Sequence, residues 1–285
     1  MRTILLWNDD WRMAGPPRVL GGEGCELVHD RRTAALADAI VFHLPTLDRA
    51  DLPRGRRPGQ RWVAWWLESE TNYPWVDDAA FMRSFDLTMS HRRPTDVWTT
   101  YLPSAEELAR APVAKTGSAP VVYVASNARV SSGRDAYVAE LMRHVAVDVY
   151  GRTLDGRAIP DDDGPPAKLR TIARYRFTLA FENSIARDYV TEKFFHPLCA
   201  GSVPIVLGAP NIAEFAPSPG CWLDVADFSG PAALAERIDA LCRDDAAYAA
   251  MLRWKTAGVS ESFRSLVAAG GGDPWLRLAR RLRST

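Results

Sequence analysis

Cysteine is scarce and scattered. The four residues Cys25, Cys199, Cys221 and Cys242 include no Cys-x-x-Cys pair, which excludes a zinc ribbon or a dithiol redox motif of that spacing. They read as small buried hydrophobes of a reducing compartment. Net charge is also lacking. The 35 basic and 35 acidic residues cancel, so nothing suggests a surface coated in positive charge for nucleic acid, although a few local cations could still hold a small anion. No apolar run approaches the length of about 18 residues that spans a bilayer. The first apolar run, Ile4–Trp7, is followed at once by Asn8, Asp9 and Asp10, and is shorter than the apolar region of a signal peptide. These absences predict a cytoplasmic protein with no integral membrane segment and no nucleic-acid partner. Internal repeats and long low-complexity segments are missing too, which excludes a solenoid.

What is present is globular in character. Apolar residues make up 47% of 285, enough for two cores, and the length suits two domains of about 100–150 residues each. Buried parallel strands read as continuous apolar runs. Thr3–Trp7, Ala39–Leu44, Gln60–Leu67 and Phe85–Ser90 fit that description, with Arg31–Ala39 of helical composition between the first two. Pro112–Pro120 is rich in small residues and proline, as linkers are. A second series follows: strand Val121–Ser126, helix Arg134–His144, strand Val145–Tyr150, loop Pro160–Pro166, strand Arg176–Glu182, helix Val190–Ala200, strands Val203–Leu207 and Cys221–Val225, and helix Pro231–Arg243. The alternation predicts two open α/β sheets, with ligands beyond the carboxyl ends of the strands.

The most informative segment is Phe181-Glu-Asn-Ser184, Asp188-Tyr-Val-Thr-Glu-Lys193 and Ala200-Gly-Ser-Val-Pro204. A strand ends at Glu182 and Asn183, and a helix begins near Thr191 with Glu192 and Lys193 in its first turn. Free N–H groups and the partial positive charge of a helix start suit a phosphate, and Lys193 adds a full charge. Glu192 could accept hydrogen bonds from sugar hydroxyls. By spacing alone, a plain helix cap explains the same residues.

The whole segment resembles the donor-binding signature of the α-1,3-fucosyltransferase family, glycosyltransferase family 10. The resemblance extends through Ala37-Asp-Ala-Ile-Val-Phe-His43, Pro58-Gly-Gln-Arg-Trp-Val63, Glu68-Ser69, Asn72-Tyr-Pro74, Phe85-Asp-Leu-Thr-Met-Ser-His-Arg-Arg93 and Arg134-Asp-Ala-Tyr-Val-Ala-Glu-Leu141. It covers about Ala37 to Trp254. It implies an α/β protein of GT-B architecture, two Rossmann-like domains facing across a cleft. The implied limits are an acceptor-side domain over 1–115, a donor-binding domain over 119–270, and a C-terminal helix over 271–285 packing back on the first domain. It implies inverting transfer of L-fucose from GDP-β-L-fucose to an acceptor hydroxyl, α-1,3/1,4 in type, with no cofactor and no metal. The implied base is Glu68. Arg134 and Lys193 hold the diphosphate, and Glu182, Asn183, Tyr189, Thr191 and Glu192 complete the donor site. His43, Asn72, Tyr73 and Arg92 are acceptor-side candidates. A related transferase with another nucleotide sugar, or a non-catalytic nucleotide- or glycan-binding module, is the alternative.

Four features stand outside the signature. Glu70 departs from the family's proline and reads as solvent-facing. Asp161-Asp-Asp163 carries an Asp-x-Asp pattern but sits in a Gly/Pro loop, where a solvated turn is the expectation. Pro197 falls inside the helix that Thr191 opens and removes its bond to the Lys193 carbonyl. The tail Trp275–Arg283 is a basic helix that could pack on the first domain or touch a membrane surface.

Overall fold

Strand β1 (Arg2–Leu6) leads into a hairpin, β2 (Arg18–Leu20) and β3 (Cys25–Val28). Strands β4 (Ala39–His43), β5 (Arg61–Trp66), β6 (Leu87–Ser90) and β7 (Val97–Trp98) follow, with a short helix α1 (Ala79–Met82) before β6. The computed structural model describes residues 1–8, 15–127 and 130–283. These strands form one sheet in the order β2-β3-β1-β4-β5-β6-β7, parallel except for the β2–β3 hairpin. Strand β4 is buried along its whole length because it lies mid-sheet. One device recurs along the sheet. Asp38, Asp86 and Asp96 precede β4, β6 and β7, and each accepts a backbone N–H from the neighbouring strand, at Thr3, Trp62 and Thr88, each at 2.8 Å. Each carboxylate thereby pins the register of a strand pair at its amino end.

The helix expected over Arg31–Ala39 is only a 3₁₀ turn, Arg31–Thr33, capped by Asp30. Arg31 is drawn to the Trp7 carbonyl and to Asp51, and the chain must reach the sheet by Ala39, so no room remains for further turns.

The second sheet has the order β12-β11-β10-β8-β9 and is wholly parallel. Its strands are β8 (Val121–Ala125), β9 (Val147–Gly151), β10 (Phe177–Phe181), β11 (Val203–Leu207) and β12 (Leu223–Asp224). The helices are α2 (Ala105–Ala109), α3 (Arg134–Leu141), α4 (Pro165–Ala173), α5 (Glu192–Ala200), α6 (Pro231–Arg243), α7 (Asp245–Leu252), α8 (Trp254–Ala257) and α9 (Glu261–Gly270). Proline opens α4 and α6, where a missing N–H costs nothing. Helix α5 continues through Pro197 to a left-handed Gly201 cap. Phe177, Leu179 and Phe181 of β10 pack with Tyr123, Val138, Leu141 and Ile205 in one core.

Two compact units result: 1–100 together with 272–285, and 101–271. The boundary falls near Thr100 rather than 115, because α2 packs on α5 and α8 of the second unit. The final helix, α10 (Pro274–Arg283), belongs to the first unit. It buries Trp275, Leu278, Ala279 and Leu282, and Trp275 meets Trp65 edge-on at 5.2 Å. Its arginines are engaged there too. Arg280 and Arg283 each reach Glu23 at 2.7 Å, Arg281 reaches Asp96, and Arg277 donates to the Trp98 carbonyl.

Candidate active site

In the second sheet the chain runs outward from β8 to β9, then crosses back to β10 on the other side. Adjacent β8 and β10 therefore diverge at their carboxyl ends, which is where open α/β sheets bind ligands. Arg134, at the start of α3, lies at this switch point. It is fully buried, and its guanidinium donates to the carbonyls of Phe181 (3.2 Å) and Asn127 (2.9 Å), at the ends of β10 and β8. The nearest carboxylate is Asp135, 3.7 Å from Nε and itself bonded by the Tyr123 hydroxyl at 2.8 Å.

Glu182 follows β10 and is almost wholly buried. Its Oε1 accepts the Thr191 N–H at 2.8 Å, the Thr191 hydroxyl lies 2.8 and 2.9 Å from its two oxygens, and Lys193 Nζ stands 3.3 Å from Oε2. The carboxylate thus straps the end of β10 to the start of α5. The intervening loop is held from two sides. Asn183 O accepts from Ser131 and Ser132 N–H, and Asp188, at positive φ, exchanges bonds with Asn211. Asn183 and Tyr189 are both buried in this loop. Thr191 is the N-cap of α5, accepting from Lys193 N–H, as a plain capping reading also expects.

Around this strap the charges alternate. Lys193 sits on Glu182 and lies 3.6 Å from Glu192, and Lys168 of α4 reaches Glu192 at 3.3 Å. Burial alone would raise the Glu192 pKa, but the Lys193 and Lys168 charges outweigh it and hold the carboxyl at about 2. Burial pushes the Glu182 carboxyl up despite Lys193. Burial acts to lower the Lys193 pKa, and the Glu182 and Glu192 charges reverse that and raise it. His196, one turn along α5, is lowered to about 4 by burial and by Lys168, so it is neutral near pH 7.

Lys168, His196, Asn211 and the recess at Ser126, Asn127, Arg152 and Thr153 are not singled out by the sequence reading. No local spacing links Lys168 to Glu192; only the packing of α4 on α5 does. The recess, about 660 Å³, lies at the ends of β8 and β9. Gly151 makes it possible: its φ is 105°, and a Cβ there would fall 2.1 Å from the Ala125 carbonyl oxygen.

The first unit carries the other candidates. Asn8, after β1, closes its switch point by bonding both the His43 N–H and carbonyl. His43 is buried, 4.8 Å from the Trp65 ring centroid, with Nδ1 2.9 Å from Thr46 Oγ1. Glu68 stands just past β5, half-buried, ahead of a turn in which Asn72 and Tyr73 N–H bond the Ser69 carbonyl. Tyr73 meets Trp75 edge-on, and Arg92 pairs with Asp77. Glu70 is not solvent-facing as expected. Its carboxylate lies 3.8 Å from Nε2 of the buried His91. Burial acts to raise its pKa, yet His91 and the Arg92 charge hold it below the usual range. The Asp161–Asp163 segment is a capped turn: Asp162 accepts the Gly164 N–H and Asp163 pairs with Arg170.

Two units, each built on an open and mainly parallel α/β sheet, give the chain a fold of GT-B type. Sequence models described as "Fucosyltransferase, N-terminal" and "Glycosyltransferase family 10 (fucosyltransferase) C-term" match residues 1–102 and 114–269, so the chain belongs to glycosyltransferase family 10. Among curated relatives, alpha-(1,3)-fucosyltransferase B of Drosophila melanogaster is 32% identical over 264 residues, covering 86% of this chain and 58% of its own length. GDP-fucose protein O-fucosyltransferase 3 of Gallus gallus is 36% identical over 286 residues, covering 93% and 60%. The 4-galactosyl-N-acetylglucosaminide 3-alpha-L-fucosyltransferase FUT6 of Pongo pygmaeus is 36% identical over 270 residues, covering 88% and 72%. The chain thus spans under two thirds of the length of the first two. A crystal structure of an alpha1,3-fucosyltransferase with GDP-fucose shares the fold, with a TM-score of 0.65 over 99% of this chain and 90% of that one, at 16% identity.

Proposed function

We propose that this protein transfers L-fucose from GDP-β-L-fucose to an acceptor hydroxyl with inversion at the anomeric carbon and without a catalytic metal. The observation that carries this reading is the cation set at the β8/β10 switch point. Lys193 at the start of α5, Lys168 of α4 and Arg134 at the end of β10 place three cations, interleaved with Glu182 and Glu192, where a donor diphosphate would sit. Glu192 then serves the sugar hydroxyls as an ionised acceptor. Glu68, carried by the first unit, takes the proton of the acceptor hydroxyl as its oxygen bonds to the sugar carbon. The bond from that carbon to the diphosphate breaks, and the charge left on GDP is stabilised by Lys193 and Arg134. The names of the relatives share the fucosyl group and differ in acceptor, so an acceptor screen should include both N-acetyllactosamine-type glycans and peptides. The α-1,3/1,4 linkage is the working assignment for glycans.

Calorimetry with GDP, GDP-fucose and UDP in the presence of EDTA tests the donor. Binding of GDP and GDP-fucose without UDP supports the reading. Selective UDP binding would replace the donor class, and GDP-fucose binding without turnover on any acceptor would favour a binding module. Glu68→Gln should lower kcat by about 10²–10⁴ with GDP-fucose affinity unchanged; full turnover would remove Glu68 from the base role.

A further inference from the structure

The end of the second sheet opposite the switch point holds a feature that the transfer reaction does not use. Where the chain enters β8 and β10, a cavity of about 220 Å³ is lined by Lys115, Gly117, Ser118, Arg174, Arg176 and Cys242, among others. Gly117 shapes it. A Cβ there would lie 2.5 Å from the Tyr175 ring, so only glycine lets this loop run against the end of α4. Its N–H bonds the Arg174 carbonyl, which fixes the loop beside the Arg174 side chain.

Three cationic residues line this cavity, and among the described residues two of them, Lys115 and Arg174, have no carboxylate partner. Lys115 Nζ donates to the carbonyls of Ala173 (2.8 Å) and Gly201 (2.7 Å), at the ends of α4 and α5, and forms no ion pair. One of its three N–H groups is left over. Arg174 is exposed, and its guanidinium has only a long bond from Nε to the Thr116 hydroxyl at 3.3 Å. Arg176 pairs through Nη2 with the exposed Asp245 at 2.6 Å and lies over the Tyr248 ring, while its buried Nη1 has no acceptor. Two further carboxylates lie near: Asp148, already bonded by Ser118, Tyr175 and Arg157, and Asp239, beside Cys242. Burial, reinforced by the repulsion of Lys255 and Arg176, brings the Lys115 pKa from 10.5 down to about 8.

We propose that this cavity is a second anion site, separate from the donor site, that binds a phosphate group, either free phosphate or the monoester group of a small metabolite. Two arginines and a lysine lining one recess, with the Arg174 guanidinium bonded only to a hydroxyl and Arg176 Nη1 lacking an acceptor, suit the several acceptor oxygens and double charge of a phosphate better than a carboxylate's single charge. The volume leaves room for a small organic portion beyond the phosphate.

Calorimetric titration of the full chain with inorganic phosphate, and separately with glucose 1-phosphate, tests this against chloride at matched ionic strength. Saturable binding is expected with at least one of the two. Arg174→Ala should weaken it by about tenfold or more, as should Arg176→Gln, whereas Lys193→Ala in the donor site should leave it unchanged. Tighter binding of the monoester identifies a phosphorylated metabolite as the natural occupant, and equal or tighter binding of phosphate identifies the free ion. Arg174 is exposed, so its variant keeps the fold, and matched circular dichroism spectra would verify this. Absence of saturable binding by both probes overturns the proposal. So does binding that survives Arg174→Ala unchanged, or binding that is lost in Lys193→Ala.

Discussion

Glu182→Leu is the substitution that most directly tests how the donor site is built. The wild-type carboxylate is buried, accepts twice from Thr191 and faces the Lys193 ammonium at 3.3 Å. Leucine keeps the volume but leaves Lys193 a largely buried cation without its main partner and frees the Thr191 N–H. Breaking one side of a buried pair typically costs about 3–5 kcal/mol, most of it the desolvation of the surviving charge. For a unit of this size, at about 2–4 °C per kcal/mol, Tm should fall by about 6–20 °C. Chemical denaturation and differential scanning calorimetry measure this directly. The diagnostic comparison is the double variant Glu182→Leu/Lys193→Met. With both charges gone the penalty should shrink, so the double variant is expected to be more stable than Glu182→Leu alone, with a coupling energy of about 1–3 kcal/mol. GDP binding should be lost in both. Additive losses, or a Tm within 2 °C of wild type for Glu182→Leu, would refute the strap and make Glu182 a bystander.

Glu23→Ala should loosen α10 by removing the shared acceptor of Arg280 and Arg283; limited trypsin digestion should clip the C-terminal helix faster while Glu68-dependent chemistry survives. Acid should destabilise the second unit in two windows. His196 has a folded pKa of about 4 against an ordinary 6.5, so the unfolded chain binds the extra proton and stability falls as pH drops through that interval. Glu192, held at about 2, contributes stability that is complete above about 4.5 and is lost as pH falls towards 2. His196→Phe should flatten the upper window alone in urea melts taken between pH 7 and 4, and an unchanged slope would show that the ring is not neutral in the folded protein.

Local sequence determined a good deal here. The continuous apolar runs of β4, β5, β8 and β10 can be satisfied only by strands covered on both faces, so the two parallel sheets were legible from composition alone. The Thr191 cap and the first turn of α5 were equally legible, because capping chemistry depends on residues one to three positions apart. Glu70 was misread for the opposite reason: its partner His91 lies on a different strand end, and no spacing within the chain announces it. The short turn at Arg31–Thr33 shows the same limit, since helical composition gave way to contacts with Trp7 and Asp51. Only the tertiary structure decided that Lys168, Lys193 and Arg134 share one end of one sheet. It also decided that Lys115, Arg174 and Arg176 gather at the other. Charges act through space, and the order of strands in a sheet, rather than the order of residues in the chain, sets which of them are neighbours.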